Sequence, residues 1–208
     1  MIDNTYLKAK FYVRQFIGRI LRIVNPKPIP EGEYYIHLGC GHIDHPGFIN
    51  IDGIDYPHVH FVQSITNLKQ FKDNSIKFIY SSHTLEHFPR SQTLAILREW
   101  LRALQPQGKL CLSVPDFDLI INIYREQNNN VNFILPPLFG GQDYPFNFHF
   151  TTFNNVSLTN ILLEAGFKTV EEWTFGKDHL HSLPDWSGRY ITVADKKMPI
   201  SLNLEATK

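Results

Sequence analysis

Five short runs of apolar residues, separated by turn signals and helical patterns, constrain the fold of this chain more than any other feature. The runs cover residues 34–38, 48–51, 59–62, 76–80 and 110–114. Most are apolar almost throughout, which is typical of strands that helices cover on both faces. Their alternation with helical patterns predicts an α/β fold with a doubly wound, mainly parallel sheet. Residues 167–175 and 200–206 are further strand candidates, and we expect the last one to be antiparallel.

Two helical patterns belong to this α/β region. Leucines recur at three-residue and four-residue steps over residues 94–104, and we expect Ser91 to cap that helix and Pro106 to end it. A second helix is predicted over residues 158–165, with Gly166 as its C-terminal cap.

The first 30 residues are predicted to form an N-terminal amphipathic helix and a linker, and residues 31–208 a single domain. Apolar side chains recur at helical spacing over residues 8–24, and every charged residue of that segment is basic. These basic residues are Lys8, Lys10, Arg14, Arg19 and Arg22. We expect the helix to dock on the domain with its basic face in solvent, and contact with an anionic membrane surface is the alternative.

The charge balance and the cysteine content indicate which partners and which cellular compartment to expect. The 20 Lys and Arg residues balance the 20 Asp and Glu residues, so no overall field attracts nucleic acid. Only Cys40 and Cys111 are available for a disulfide, and no segment has the layout of a cleaved signal peptide. No apolar stretch approaches the roughly 20 residues that cross a bilayer. We therefore expect a cytoplasmic protein with no membrane span and no nucleic-acid partner.

A glycine turn follows the first apolar run and suggests a ligand site. At Gly39 and Gly41 the backbone can approach a ligand because no Cβ intervenes, and ligands of such sheets lie beyond the carboxyl ends of the strands. Asp52 directly follows the second run, at a place where an acid can accept hydrogen bonds from both ribose hydroxyls. The pair predicts an adenosine-containing cofactor, and the alternative is that Asp52 is only a turn acid before Gly53.

Four motifs follow one another along the chain and carry a family resemblance. They read HLGCG at 37–41, PGFINID at 46–52, SHTLEHF at 82–88 and LQPQGKL at 104–110. The pattern continues with SVPDF at 113–117 and, more loosely, SLNLE at 201–205. In order and spacing these motifs resemble class I S-adenosylmethionine-dependent methyltransferases, especially a bacterial branch associated with surface-glycan biosynthesis. The resemblance implies a Rossmann-like domain, S-adenosylmethionine as cofactor, and a small polar acceptor such as a sugar or a glycan intermediate.

The same resemblance implies which residues form the cofactor site. They are Gly39, Cys40, Gly41, Asp52, Ser64 and Ser82. Ser64 stands where many such enzymes have an acid that faces the adenine amine, so the adenine contact falls to backbone or to another side chain. The connection from Gly39 to Gly47 is too short for a crossover helix, and we expect a bare turn there.

His83, Glu86 and His87 come directly after the fourth run, so we expect them beside the glycine turn, bordering the acceptor. Their pattern H-x-x-E-H also spells the inverted zinc-protease motif, in which one helix presents two histidines to zinc. That arrangement requires a helix through residues 83–87, but a strand run ends just before this segment and Pro89 interrupts a helix just after it. We therefore predict no metal site, and a purely structural cluster remains an alternative.

Two further positions are candidates for acceptor chemistry. Asp116 comes after the fifth strand, where it can orient the acceptor, take its proton, or cap a helix that begins near Asp118. His149 alternates with the phenylalanines of residues 146–150, so in an extended segment we expect the phenylalanines in the core and His149 at the site. A histidine is a suitable base for a hydroxyl acceptor at neutral pH. The candidate catalytic residues are therefore His83, His87, Asp116 and His149.

A loop near the C-terminus carries three more polar candidates, and two other classes of function also fit the sequence. His179, His181 and Asp185 lie in a loop punctuated by Gly and Pro, a candidate to close over the acceptor. A non-catalytic interaction module with the same fold is one alternative function. A nicotinamide-dependent enzyme is another, which the missing third glycine of G-x-G-x-x-G disfavours.

Overall fold

A computed structural model of the chain describes residues 4–193 and 195–208. Its helices are α1 (Asn4–Val24), α2 (Arg90–Ala103), α3 (Phe117–Glu126), α4 (Leu135–Phe139) and α5 (Asn155–Ala165). The first five strands are β1 (Tyr34–Leu38), β2 (Phe48–Asp52), β3 (Phe61–Val62), β4 (Ile76–Ser82) and β5 (Leu104–Pro115). The others are β6 (Thr169–Glu172), β7 (Tyr190–Val193), β8 (Lys196–Pro199) and β9 (Ser201–Thr207).

Seven strands form the main sheet in the order β3-β2-β1-β4-β5-β9-β6, and β7 and β8 form a separate hairpin. The pairs among β1 to β5 are parallel, whereas β9 runs antiparallel to both β5 and β6. This confirms the predicted α/β Rossmann-like sheet with an antiparallel C-terminal strand. The strand order reverses at β1, which lies between β2 and β4, and ligands of such sheets bind at this point.

The two faces of the sheet are covered differently. The larger core packs α2 and α5 against one face, with Trp100, Leu97 and Leu158 fully buried. On the other face, a smaller cluster around Tyr80 and Trp173 is covered by irregular chain after β6 rather than by an α-helix. The expectation of helices on both faces was therefore wrong for this side. Its physical reason is the bare turn between β1 and β2, which confirms the short connection predicted there and supplies no crossover helix.

Helix ends agree with the sequence where a cap has a strong local cause. Gly166 ends α5 in the left-handed conformation with φ 112°, as predicted. At α2 the prediction was wrong, because the helix begins at Arg90 after Pro89 and Ser91 lies inside it. Pro89 stands at the N-cap position with φ −55° and offers no side-chain acceptor, so α2 begins without a side-chain cap.

Helix α1 docks on the domain through a side that the apolar pattern does not indicate. A Cβ on Gly18 would lie 1.8 Å from the Asp55 carbonyl oxygen, so only glycine permits this close approach. Arg22 Nε donates to the Asp55 carboxylate at 2.8 Å, and the Gln15 side chain accepts from the Asp55 N–H at 2.8 Å. Phe11 stacks on Tyr144 with ring centroids 5.6 Å apart.

The apolar face of α1 is consequently exposed. Its exposed members include Val13, Phe16, Ile17, Ile20, Leu21 and Val24. The expected docking is thus found, but with the apolar face turned outward, because the polar needs of the buried Asp55 decide which side of the helix faces the domain. Within the described ranges, no helix has the length and apolar content to cross a bilayer.

Candidate active site

A cavity of about 1620 Å³ opens at the carboxyl ends of the parallel strands. Its wall includes the glycine turn at Gly39, the end of β2 at Asp52, and the histidines that follow β4. Small-molecule sites usually occupy roughly 300–1,000 Å³. The cavity therefore has room for two ligands side by side.

The glycine turn has a conformation that other residues rarely adopt. Gly39 and Gly41 have φ values of 67° and 54°. A Cβ on Gly39 would lie 2.2 Å from Thr84 Oγ1, whereas one on Gly41 would meet no described atom within 4 Å. The N–H of Gly39 donates to the Ile51 carbonyl at 2.8 Å and thereby ties the turn to β2. Gly39 is thus required by the neighbouring chain, and Gly41 borders open space.

Asp52 fixes the turn through its carboxylate. One oxygen accepts from the N–H of Gly41 at 2.7 Å and the other from the N–H of Ile54 at 2.7 Å. The side chain is buried and lines the cavity. Burial raises the pKa of Asp52, and the two backbone hydrogen bonds oppose that rise. Asp52 is a turn acid and a cavity residue at once, so the two interpretations offered by the sequence do not exclude each other.

All six residues predicted for the cofactor lie on the wall of this one cavity. Cys40 is buried, and burial raises the pKa of its thiol. Ser64 is exposed, with its hydroxyl 2.9 Å from that of Thr66. The buried hydroxyl of Ser82 finds no hydrogen-bond partner within the described residues. Ser82 therefore offers an unused polar group to a ligand.

At the other end of the cavity, Glu86 is a buried carboxyl group with unmet needs. Its side chain is 1% exposed, and neither oxygen has a hydrogen-bond partner in the described part of the chain. Its Oε1 lies 3.6 Å from His83 Nδ1 and 3.9 Å from His149 Nε2. Burial raises the pKa of Glu86 to about 8. The carboxyl group is held among imidazoles that contact it only loosely.

A defined hydrogen bond fixes the tautomer of His83. Its Nε2 lies 2.7 Å from Ser201 Oγ, and that hydroxyl donates to the Trp186 carbonyl at 3.0 Å. Because the serine proton is already used, Nε2 of His83 is the donor and Nδ1 keeps its lone pair. Burial, followed by the neighbouring His149 and His87, lowers the pKa of His83 to about 3.

His87 and His149 are held in a similar way. Nδ1 of His87 faces the Phe148 carbonyl at 3.1 Å, and Nδ1 of His149 faces the Pro137 carbonyl at 3.0 Å. A ring nitrogen facing a carbonyl must carry the proton, so Nε2 of each histidine keeps a lone pair. Burial lowers the pKa of both groups, to about 4 for His87. Both histidines line the cavity as neutral electron-pair donors at neutral pH.

The H-x-x-E-H pattern does not lie on a single helix. Strand β4 continues through Ser82, His83 has a positive φ of 49°, and a short 3-10 turn covers Leu85–His87. The two histidines therefore do not share a helix face, as the zinc-protease motif requires.

Asp116 has the helix-capping role that the sequence offered beside a role at the acceptor. Its carboxylate caps α3 by accepting from the N–H of Asp118 at 3.0 Å. It lies outside the cavity wall that the described residues form. The orphan N–H groups at the start of α3 therefore use the Asp116 carboxylate, and a catalytic role for Asp116 stays a prediction.

The segment around His149 corrects another expectation. Phe146 and Phe150 are 51% and 60% exposed, not in the core, and both lie on the cavity wall. Residues 147–150 have no regular secondary structure, and the N–H of Phe150 donates to the Glu86 carbonyl at 2.8 Å. Alternation buries one side of a segment only when a sheet supports it, and here no strand forms. His149 does line the cavity.

The loop after β6 divides between core and cavity. His181 is buried against Cys111 and Glu205, whereas Asp185 lines the cavity and accepts from the Tyr80 hydroxyl at 2.8 Å. Sequence reasoning missed Trp186 and Arg189, which also line the cavity. The Arg189 guanidinium lies 4.4 Å from the centre of the Trp186 ring. No periodic pattern could have found them, because irregular chain brings them to the cavity.

Comparison with known proteins identifies the family of this chain. A family model described as a methyltransferase domain matches residues 10–172. A search of curated proteins finds no significant match.

Several solved structures share the fold. One is an S-adenosylmethionine-dependent methyltransferase from Thermotoga maritima, a possible histamine N-methyltransferase, with TM-score 0.53 and 18% identity over 96% of each chain. A second, from Archaeoglobus fulgidus, has TM-score 0.54 and 17% identity over 96% of this chain and 97% of that one. The third is the 1,6-didemethyltoxoflavin-N1-methyltransferase of Burkholderia thailandensis with bound S-adenosylhomocysteine. Its TM-score is 0.51, with 14% identity over 96% of this chain and 80% of that one. At these identities the likeness concerns the fold.

Proposed function

The chain belongs to the S-adenosylmethionine-dependent methyltransferases, and from this premise we propose how its cavity divides between donor and acceptor. The methyl donor occupies the end formed by the glycine turn and Asp52. A small polar acceptor, such as a sugar or a glycan intermediate, occupies the histidine end. The observation that carries this division is one cavity of about 1620 Å³ with a glycine turn at one end and histidines at the other.

The residues of the donor end suit this ligand. Open space next to Gly41 allows a ligand to approach the backbone closely. The Asp52 carboxylate uses one lone pair of each oxygen on the turn and retains others for ribose hydroxyls. The unpartnered hydroxyl of Ser82 is available to the polar part of the ligand. S-adenosylmethionine supplies an activated methyl group there.

At the acceptor end, the histidines mainly position the acceptor. Alignment of two bound partners supplies much of the rate of a transfer reaction. The neutral Nε2 atoms of His87 and His149 can accept hydrogen bonds from an acceptor hydroxyl. Their lowered pKa values make them weak bases, since an effective base has a pKa near the working pH. During transfer the acceptor oxygen forms the new bond to the methyl carbon, the C–S bond breaks with its electrons on sulfur, and the hydroxyl proton leaves to solvent.

Ligand binding tests the donor site. We expect the purified protein to bind S-adenosylmethionine and S-adenosylhomocysteine, measured by calorimetry, and NAD not to compete with them. The absence of binding by either ligand at millimolar concentration would contradict the donor site and favour a non-catalytic interaction module.

The acceptor class rests on charge and on the cavity rim. A balanced net charge gives no phosphate-neutralising surface, so polymer binding should be weak. Trp186 and Arg189 add an aromatic face and a cation beside the histidines, which suits a polar ring such as a sugar. An assay with labelled methyl donor and a panel of sugar nucleotides, lipid-linked glycans, small amines, RNA and protein extracts tests this. Labelling of RNA or protein alone would show that the acceptor class is wrong.

We also propose that the protein is cytoplasmic and that α1 contacts a membrane surface. The thiols of Cys40 and Cys111 are free and buried, which fits a reducing cytoplasm. Exposed apolar residues of α1, among them Phe16 and Ile20, lie beside the exposed basic residue Arg19, a combination that favours contact with an anionic membrane surface.

Sedimentation with vesicles tests this contact. We expect the protein to bind vesicles with anionic headgroups more strongly than zwitterionic ones, and the double variant Phe16→Ser, Ile20→Ser to lose the binding. Equal recovery of the variant and the natural protein with anionic vesicles would exclude α1 as the contact.

A further inference from the structure

Glu86, the acid at the histidine end, has no hydrogen-bond partner for its side chain among the described residues. Buried polar groups in proteins are nearly always hydrogen-bonded, and the two oxygens of Glu86 are exceptions. Three histidines surround this carboxyl group, and each has one ring nitrogen engaged and the other free. The carboxylate and the imidazole lone pairs lie in one region. Each of these groups can bind a cation.

We propose that Glu86, His87 and His149 bind a divalent first-row transition metal ion at the histidine end of the cavity. One ligand atom of each residue lies within 4.8 Å of the others. Two imidazoles and one carboxylate suit zinc, iron(II), manganese(II) or cobalt(II), and leave coordination positions open.

The outer contacts of the two histidines are those of metal ligands. Metal-bound histidines usually donate their other ring N–H to a carbonyl or a carboxylate, which fixes the ring and its tautomer. The Phe148 carbonyl does this for His87, and the Pro137 carbonyl does it for His149. His83 Nδ1 lies 3.6 Å from Glu86 Oε1, but it carries a lone pair, so it donates no hydrogen bond to the carboxylate.

The position of the ion is set by the wall of the cavity. His87 and His149 line the cavity, whereas Glu86 is buried behind them. An ion held by all three takes the Nε2 lone pairs that would otherwise accept from the acceptor hydroxyl, and it presents its own open positions to the cavity in their place. A Lewis acid there would bind an acceptor oxygen and lower the pKa of its hydroxyl. This catalytic use rests on the proposed function, whereas metal binding itself does not.

This ligand set differs from the zinc-protease interpretation, which the bend at His83 excludes. There the two histidines of H-x-x-E-H bind zinc and the glutamate acts as base. Here Glu86 is a ligand, and His149 comes from a distant loop. The sequence-based prediction of no metal is thus replaced by a proposal that only tertiary structure suggests.

A second cluster in the described residues serves as an internal comparison. Cys111, His181 and Glu205 also bring their ligand atoms within 4.8 Å of one another. In that cluster the carboxylate is already neutralised, because Lys109 Nζ lies 2.7 Å from Glu205 Oε1 and Lys177 Nζ lies 3.9 Å from it. We therefore assign the metal to the Glu86 cluster.

Titration of the chelator-treated full chain with cobalt(II), without methyl donor, tests the proposal. We expect one cobalt ion per chain and visible absorption from nitrogen and oxygen ligands, without the intense near-ultraviolet band of a cobalt–thiolate bond. Glu86→Gln and His149→Gln should each weaken cobalt binding by more than about 100-fold, beyond the roughly 10–100-fold typical of outer-shell changes. Cys111→Ser is the matched control and should bind cobalt like the natural chain.

The outcomes are distinct. Binding weaker than millimolar, a thiolate band that Cys111→Ser abolishes, or equal affinity in folded Glu86→Gln and His149→Gln would each overturn the proposal. Circular dichroism establishes that the variants fold, and the conservative His87→Gln is a third test if one does not. Cobalt binding without any methyl transfer would leave this site standing and contradict the proposed function. Binding of S-adenosylhomocysteine without cobalt binding would do the reverse.

Discussion

The two ends of the cavity differ in how far the protein satisfies its own polar groups. At the glycine turn, the buried Asp52 accepts two short backbone hydrogen bonds, and the turn is complete without a ligand. At the histidine end, the more deeply buried Glu86 accepts none from the described residues. The first end is preformed, because its own hydrogen bonds hold the turn without a ligand. The second end presents electron-pair donors that no described residue satisfies. Changes at the two ends should therefore have opposite effects on stability.

The largest effect is expected for Gly39→Ala at the donor end. The new Cβ would lie 2.2 Å from Thr84 Oγ1, in a backbone conformation with φ 67°. We expect the unfolding free energy to fall by about 3 kcal/mol or more, since strain and overpacking add, and S-adenosylhomocysteine affinity to be lost. Gly41→Ala is the control, because its Cβ meets open space and only the backbone strain of about 1–2 kcal/mol remains. Urea unfolding measures both variants. Similar losses of unfolding free energy in Gly39→Ala and Gly41→Ala would show that close packing around Gly39 does not fix the turn.

Asp52→Ala should weaken both folding and cofactor binding. It leaves the N–H groups of Gly41 and Ile54 without their acceptor, at a cost of about 1–3 kcal/mol for such buried groups. The sequence offered Asp52 either as a cofactor residue or as a turn acid, and the two backbone hydrogen bonds are the reason to expect both effects. Calorimetry with S-adenosylhomocysteine and urea unfolding measure the two effects. Unchanged stability would show that the turn does not depend on the carboxylate.

Glu86→Met should stabilise the metal-free fold while it lowers methyl transfer. Replacing an unpartnered buried carboxyl group by an apolar group of similar size gains about 1–3 kcal/mol. Glu205→Met is the matched control and should destabilise, because it deprives Lys109 and His181 of their partner. Thermal unfolding in the presence of a chelator measures both. A loss of stability in Glu86→Met would mean that its carboxylate is already satisfied.

The smallest effect at neutral pH is expected for His37→Phe, which tests an unsatisfied group near the donor end. Its Nδ1 is buried without a described partner, and burial, followed by His45 and His58, lowers its pKa to about 3. The unfolded chain therefore binds a proton below about pH 6.5, the ordinary pKa of histidine, that the folded chain refuses down to about pH 3. Stability falls with falling pH in this window, by up to about 1.4 kcal/mol per pH unit for one such group.

Removing His37 should reduce that slope by up to one proton within the same acid window and leave the slope at and above neutral pH unchanged. Urea unfolding at several pH values measures it, and the exposed His179→Gln is the matched control for the loss of a histidine. An unchanged acid slope in His37→Phe would assign the proton uptake to other groups.

The position of the glycine turn beside Asp52 could be predicted from the sequence because these parts are local. Gly39, Gly41 and Asp52 lie at the ends of two adjacent parallel strands, and the short connection between those strands leaves few ways to arrange them. The apolar runs likewise defined the strands and the α/β class, since a run that is apolar throughout requires cover on both faces.

Only tertiary structure decided the rest. Periodicity showed which residues of α1 share a face, but the fit of Gly18 and Arg22 against Asp55 decided which face meets the domain. Likewise, His149 reaches Glu86 because an irregular segment crosses the cavity. Spacing along the chain fixes contacts only within an element or between neighbouring strands. Contacts made by irregular chain depend on shape and on the polar needs of distant residues, which no local pattern records.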